Sequence, residues 1–428
     1  MTVFAFFNSR PLTSSVSQLG RATALTSALV VATGLTGCSL FQKSPAVVNQ
    51  PAPLTNLSNS QHVLSPVFSK NISGKSIASV SSPSLKSLNP FGKKQSKTLT
   101  QSPSAFRVAM DDQGYIAAGA DGMVLATNTR GDKLWEAKFK QGLSGGVALD
   151  AASGTVIISD SNGKLIALDR ITGQQRWQTQ LTSNVLAPAL ITNNRVITIG
   201  NNGIISANSL QTGDAIWQFA TQNPNLSVRG STSPILLDNN TLLAATADGR
   251  VHALNLDNGV PLWSRRMSNV QGGSEVERLS DIDATPVLRG NMLYVVTYSN
   301  QLIAVDMSSR QLAFLKDYAS IKSVGVDDSQ IYVTTLDGNV AALDRLTGNV
   351  NWESDALHYR GLSNALPVGN YVLVGDALGY LHVLDKTSGN VVDRLSARGG
   401  DISQLTLNGN QVISQSTNGN FSVWQVTR

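Results

Sequence analysis

One cysteine, Cys38, and four histidines are all the soft or imidazole ligands that 428 residues contain. A lone thiol excludes a disulfide framework within the chain, so the fold must rest on packing. His62, His252, His358 and His382 show no metal-ligand spacing, and neither a Gly-rich phosphate loop nor a nucleophile elbow occurs, so no motif of catalytic chemistry is present. His252 and His382 stand at matching places in two copies of a repeat, where packed or half-exposed positions are expected. Long apolar runs are missing too: residues 22 to 34 are apolar but too short to span a bilayer.

Acidic residues are absent from the first 110 positions, which hold Arg10, Arg21, Lys43, Lys70, Lys75, Lys86, Lys93, Lys94, Lys97 and Arg107. The remainder carries 23 of the 33 basic residues and all 28 acidic ones, so the net charge of +5 hides a basic leader on a mildly acidic body. Nucleic-acid binding would put the basic surface on the folded domain, so this split argues against it. Residues 73 to 103, rich in Ser, Lys and Pro, are expected to form a disordered basic excursion that contacts anionic lipid headgroups or serves as a solvated spacer.

What the chain has in abundance is one short phrase. Turn pairs beginning at Asp121, Asn162, Asn202, Asp248, Ser299, Asp337, Leu378 and Asn418 recur at intervals of 41, 40, 46, 51, 38, 41 and 40 residues. Each introduces an alternating apolar strand, as in Lys164-Leu165-Ile166-Ala167-Leu168-Asp169, and the fullest copies continue with Thr-Gly, three residues and Trp. Asp-Gly and Asn-Gly supply the positive dihedrals of tight hairpins. Strands in units of about forty residues predict an all-β, eight-bladed β-propeller of four-stranded antiparallel blades over residues 104–428.

Trp135, Trp177, Trp217, Trp263 and Trp352 recur at one point of five units, where a large ring can pack against the neighbouring blade. Phe314 takes that place in the fifth unit and Asp393 in the seventh, so weaker seams are expected there. The eighth copy ends at Arg428 without an outer strand, and a segment from ahead of the first blade should close the ring. Residues 62–72, with the alternating stretch from Val63 to Ile72, are the candidate.

Leu35-Thr36-Gly37-Cys38 after the apolar run resembles the bacterial lipoprotein box. That resemblance implies a signal peptide over residues 1–37, lipid on Cys38, and a flexible tether over 38–61. Ser39 in place of Asp implies the outer membrane, with the protein hanging into the periplasm from the inner leaflet.

The Ala-x-Asp-x-x-Thr-Gly-x-x-x-Trp phrase also resembles the repeats of pyrroloquinoline-quinone dehydrogenases, which hold the quinone over adjacent cysteines and beside calcium. With one cysteine and a much shorter chain, this protein has the scaffold without that pocket. A free periplasmic lipoprotein that binds glycan or peptidoglycan is a further alternative.

Two connections exceed the repeat, through Leu226-Ser227-Val228-Arg229-Gly230 and through Glu277-Arg278-Leu279-Ser280-Asp281-Ile282-Asp283. Long loops on a rigid scaffold collect binding residues, and consecutive ones should be neighbours. Leu226 and Val228 offer apolar anchors, Arg229 a forked donor, and Asp281 and Asp283 carboxylates for a partner. Alternatively, Asp281 and Asp283 cap a turn and pair with Arg229 inside the propeller.

These segments, the lipoprotein box and the eight units together resemble the BamB family of outer-membrane protein assembly factors. Val374-Gly375-Asp376-Ala377-Leu378-Gly379-Tyr380-Leu381-His382 is similar to that family's seventh blade, and Val228 stands where its pattern often has Leu. The resemblance implies a non-catalytic scaffold without cofactor or metal, part of the barrel-assembly machine (BAM complex). It implies docking on the periplasmic POTRA domains of BamA through Leu226, Val228, Arg229, Asp281 and Asp283. Receipt of unfolded β-barrel chains by strand addition at the blade edges is a further expectation.

Overall fold

The computed structural model describes residues 49–57, 60–72, 107–222, 232–267, 282–297, 300–397, 400–417 and 419–427. The expected signal peptide, Cys38 and the expected excursion at 73–103 lie outside the described residues.

Eight four-stranded antiparallel sheets follow one another along the described chain, one per repeat. Blades 1 to 7 span residues 109–138, 143–180, 190–220, 235–266, 287–316, 325–354 and 366–396. Blade 8 takes three strands from 404–426 and its fourth from Leu64–Asn71. The N-terminal strand therefore closes the ring where expected, running antiparallel to Asn420–Val426 from Leu64 opposite Val426 to Asn71 opposite Asn420.

Blade 2 shows why these residues make these strands. Thr155–Asp160 is buried throughout and Lys164–Asp169 at its four central positions, because both faces of each blade meet a neighbouring blade. The outer strand Gln175–Gln180 meets water along its edge and buries one residue, Trp177. Between these strands Asp169 organises the turn: its carboxylate accepts from the Ile171 and Thr172 amides at 3.0 and 2.8 Å and from the Thr172 hydroxyl at 2.9 Å. Gly173 N–H then closes back on the Asp169 carbonyl at 2.9 Å. The Arg176 guanidinium and the Thr172 amide hold the Asp169 carboxyl down at about 2.

The recurrent aromatic is the joint between blades. In blade 2 the pairing shifts between Ala167 and Leu168, so that Arg176 is passed over and Trp177 lies opposite Ala167. That bulge seats the indole against the next blade. Trp177 then covers Gly213 of blade 3 and donates its indole N–H to the Leu210 carbonyl at 2.9 Å. The same pair of contacts joins Trp135 to Gly173 and Arg170, Trp217 to Gly259 and Leu256, and Trp352 to Gly389 and Lys386. A Cβ on any of these glycines would lie within 2.6 Å of the ring.

Four seams depart from the pattern, those at Trp263, Phe314, Asp393 and the ring's splice. Phe314 is buried and packs on Gly348, so the fifth joint keeps its stack and loses only the indole hydrogen bond. Trp263, by contrast, is only partly buried. Blade 5 offers it Arg310, with φ of 56°, where the other blades have glycine. At the ring's splice, Phe68 of the closing strand takes the aromatic's place. It stands opposite Val423 after the same shift in register, covers Gly131 of blade 1, and makes edge contacts with Tyr115 and Phe421 at 5.5 and 5.8 Å.

Asp393 serves the splice in another way. Blade 8 has no continuous turn from its third strand to its fourth, and the incoming chain at residues 60–63 occupies that place. The Asp393 carboxylate accepts from the Ser60 hydroxyl at 2.5 Å and from the Val63 amide at 3.1 Å. A carboxylate at residue 393 satisfies the Ser60 hydroxyl and the Val63 amide of the incoming segment, whereas a closed turn offers glycine for a ring to cover.

Candidate functional site

Each hairpin turn between the second and third strands of a blade lies beside the chain leaving its outer strand: Leu181 N–H donates to the Gly163 carbonyl at 2.8 Å, Thr221 to Gly203 at 3.2 Å, and Met267 to Gly249 at 2.8 Å. All blade-to-blade connections therefore emerge on one rim, the upper rim below. The two long ones leave consecutive blades, 3 to 4 and 4 to 5. Leu226, Val228, Arg229 and Asp281 lie outside the described residues; the structure describes the feet of both connections.

Those feet are stitched together. Thr221 Oγ1 donates to the Gly203 carbonyl at 2.7 Å where the first connection leaves, and Thr232 Oγ1 to the Ala245 carbonyl at 2.6 Å where it returns. The next residue, Ser233, donates its amide to Thr285 Oγ1 at 2.9 Å, which joins the return of the first connection to the return of the second. Ile282 is fully buried among Leu243, Ala245, Val251 and Met267, so the second return is anchored in the core of blades 4 and 5.

Asp283, expected as a partner contact, has 5% of its surface exposed. Its flanking residues Ile282 and Ala284 are both core residues, which draws it inward. In the free chain the Asp283 side chain is therefore turned into the propeller rather than presented on its surface.

Beneath the feet, blade 4 holds a buried polar group. Thr246 Oγ1 donates to Asp248 Oδ1 at 2.5 Å and lies 3.1 Å from His252 Nε2, and His252 tilts against Phe219 with centroids 5.6 Å apart. Burial raises the Asp248 carboxyl, but the nearby His252 ring and the hydrogen bond from Thr246 outweigh it, and the group ends below the usual carboxylate range. On the same rim, Asp317, Tyr318, Leu336, Asp337 and Glu353 line a cleft of about 430 Å³ between blades 5 and 6.

Blade 7 holds a second buried group, which sequence reasoning treated as packing alone. Asp376 Oδ2 accepts from Arg360 Nε at 2.7 Å and from His382 Nε2 at 2.9 Å, with all three side chains buried. Burial holds the His382 imidazole below its ordinary value, and Arg394 Nε donates to its Nδ1 at 3.2 Å, so the neutral ring carries its proton on Nε2. The recurrence of His252 and His382 six residues after Thr246 and Asp376 was the signal available in the sequence. Among the described residues no cluster of His, Cys, Asp and Glu could hold a metal ion.

Eight quinoprotein-type blades in sequence, closed by the N-terminal strand and with the feet of two long connections joined on one rim, define an eight-bladed β-propeller. A family model described as outer membrane protein assembly factor BamB matches residues 120–354 and 337–428, and the chain belongs to that family. The outer membrane protein assembly factor BamB of Xanthomonas campestris is 31% identical over 334 residues, covering 75% of this chain and 82% of that one. The crystal structure of BamB from Moraxella catarrhalis superposes with a TM-score of 0.72 at 38% identity, covering 76% of this chain and 97% of that one. The quinohemoprotein alcohol dehydrogenase of Comamonas testosteroni shares the fold alone, with a TM-score of 0.61 at 12% identity, over 86% of this chain and 78% of that one.

Proposed function

We propose that the protein is a non-catalytic scaffold of the outer-membrane β-barrel assembly machinery. It docks through the two long connections of blades 3 to 5 on the POTRA domains of BamA, and lipid on Cys38 holds it in the inner leaflet, facing the periplasm. The observation that carries this reading is the Ser233–Thr285 hydrogen bond, which fixes the feet of two consecutive connections to one another at the rim. Bracing at the base lets two segments act as one surface, and less ordering is then required when a partner is gripped.

Leu226, Val228, Arg229 and Asp281 form the contact set, with Asp283 supporting them from inside. An anchored scaffold also meets its partner at raised effective concentration, so moderate contacts suffice.

Affinity isolation from detergent-solubilised membranes tests the reading. The wild-type chain brings down an integral β-barrel partner; Arg229→Glu or Asp281→Lys loses it while the thermal transition stays in place. Undiminished co-isolation by both variants would remove the docking role from this surface. A gain of dye-reducing activity with quinone and calcium would replace the scaffold with an enzyme.

A further inference from the structure

The stretch from 38 to 61 was expected to be a flexible tether, yet within residues 52–57 and 60–63 the chain is fastened at Ala52, Thr55, Ser60, Gln61 and Val63 along the outer edge of blade 7. Ala52 N–H donates to the His358 carbonyl at 2.8 Å, and Arg360 Nη1 donates to the Ala52 carbonyl at 2.8 Å. Arg394 Nη1 donates to the Thr55 carbonyl at 2.9 Å. Further along, Gln61 meets the Val392 carbonyl through its amide at 3.3 Å and Tyr371 Oη through its side chain at 2.7 Å. Ser60 and Val63 end on Asp393. The guanidinium that holds Ala52 is itself locked by buried Asp376, so the polar group of blade 7 has a task.

The direction of this path matters. Val63 lies at the lower rim, where Thr427 N–H donates to its carbonyl at 2.9 Å just past the end of the third strand of blade 8. Ala52 lies at the upper rim, beside His358 and Arg360 in the connection from blade 6 to blade 7. Left loose, a tether from Cys38 would join the ring at the lower rim after 25 residues; fastened, it leaves the upper rim after 14. Fourteen residues reach about 50 Å at most.

We propose that this clasp moves the membrane attachment to the rim that carries the long connections, so the ring hangs with that rim toward the lipid surface. Blade 7 takes the tether, blades 3 to 5 take the partner, and both attachments act on one face. This rests on lipidation of Cys38.

The two rims of a blade are about 20 Å apart, the length of a six-residue strand. Because Cys38 is the sole cysteine and its sulfur is blocked as a thioether once it carries diacylglycerol, a thiol introduced at Leu378 on the upper rim or at Asn370 on the lower rim of blade 7 can be labelled alone. The full lipidated chain is reconstituted in phosphatidylethanolamine–phosphatidylglycerol vesicles carrying an acceptor lipid, and energy transfer is read from each label. Transfer from Leu378→Cys exceeds that from Asn370→Cys, and Arg394→Ala with Ser60→Ala abolishes the difference. Equal or reversed transfer in a chain that floats with the vesicles overturns the proposal.

Failure to float would instead show that the lipid reading is wrong. The exit point is then decided separately, in a full chain carrying Cys38→Ser. There Ala52→Cys and His358→Cys are joined by a short bifunctional thiol reagent if the clasp exists, and absence of the crosslink overturns it.

Discussion

The joint between blades yields a prediction that separates ring packing from backbone strain. Gly213 has φ of +78°, and a Cβ built on it would lie 2.5 Å from Cε3 of Trp177. Gly290 has φ of +57° and nothing within 4 Å of its Cβ position. Gly290→Ala therefore measures the left-handed backbone alone, about 1–2 kcal/mol. Gly213→Ala meets that cost and the displacement of a buried indole as well, another 1–3 kcal/mol on the scale of overpacking. Trp177→Ala removes a 9%-exposed ring and its hydrogen bond to Leu210, for about 3–5 kcal/mol.

The double variant is the decisive one. Once Trp177 is gone, a methyl at residue 213 has nothing to strike, so only the backbone cost remains. Trp177→Ala with Gly213→Ala should then be less destabilised than the two single variants added together, by about 1–3 kcal/mol. Urea denaturation followed by circular dichroism gives the four free energies. Additivity within about 0.5 kcal/mol, or a Gly213→Ala cost no larger than that of Gly290→Ala, would refute the joint as described.

Asp393→Ala leaves the Ser60 hydroxyl and the Val63 amide without their acceptor. It should cost about 1–3 kcal/mol and expose residues 52–63 to limited proteolysis ahead of the propeller. Trp352→Phe keeps the ring over Gly389 but loses the hydrogen bond to the Lys386 carbonyl, for about 1 kcal/mol in the same denaturation assay. Burial pushes the Lys322 ammonium, whose Nζ donates to the Ser403 carbonyl at 2.9 Å, down to about 7. The unfolded chain then binds the extra proton between that value and the ordinary lysine range, so stability rises as pH goes from 7 toward 9.5. Lys322→Met should flatten that rise in thermal melts taken across the window.

The repeat was readable because each of its residues answers a local demand. Asp169 gathers the donors of its own turn, Gly173 lets a ring approach, and Trp177 supplies the next ring, so one phrase specifies a blade and its joint. The closing strand was readable for the same reason that it was needed: three strands at residues 404–426 leave an edge, and the stretch from Val63 to Ile72 alternates. Trp263 packs at the joint of blades 4 and 5 as the repeat implies, but the surroundings of Trp263 and Asp393 are not legible from the repeat, because a residue type does not state what faces it. Those surroundings are set by what the neighbouring element presents, the incoming segment at Ser60 and Val63 beside Asp393 and Arg310 in place of a glycine beside Trp263.

The site divides along the same line. Spacing alone placed the two long connections in consecutive blades, and rim geometry plus the Ser233–Thr285 bond makes their feet neighbours. Alternation suggested that Asp281 and Asp283 share a side, but alternation describes a strand and not what lies behind it. Ile282 fills the core between blades 4 and 5, and its neighbour Asp283 follows it to 5% exposure. Charge reversal at Asp283 would consequently act on the fold rather than on a contact, because it replaces a buried carboxylate with a buried ammonium. Asp283→Lys should therefore lower the thermal transition, whereas Asp281→Lys should leave it in place and lose the partner. If both variants melted like the wild type and both lost the partner, Asp283 would be a contact after all, and the argument from burial would fail.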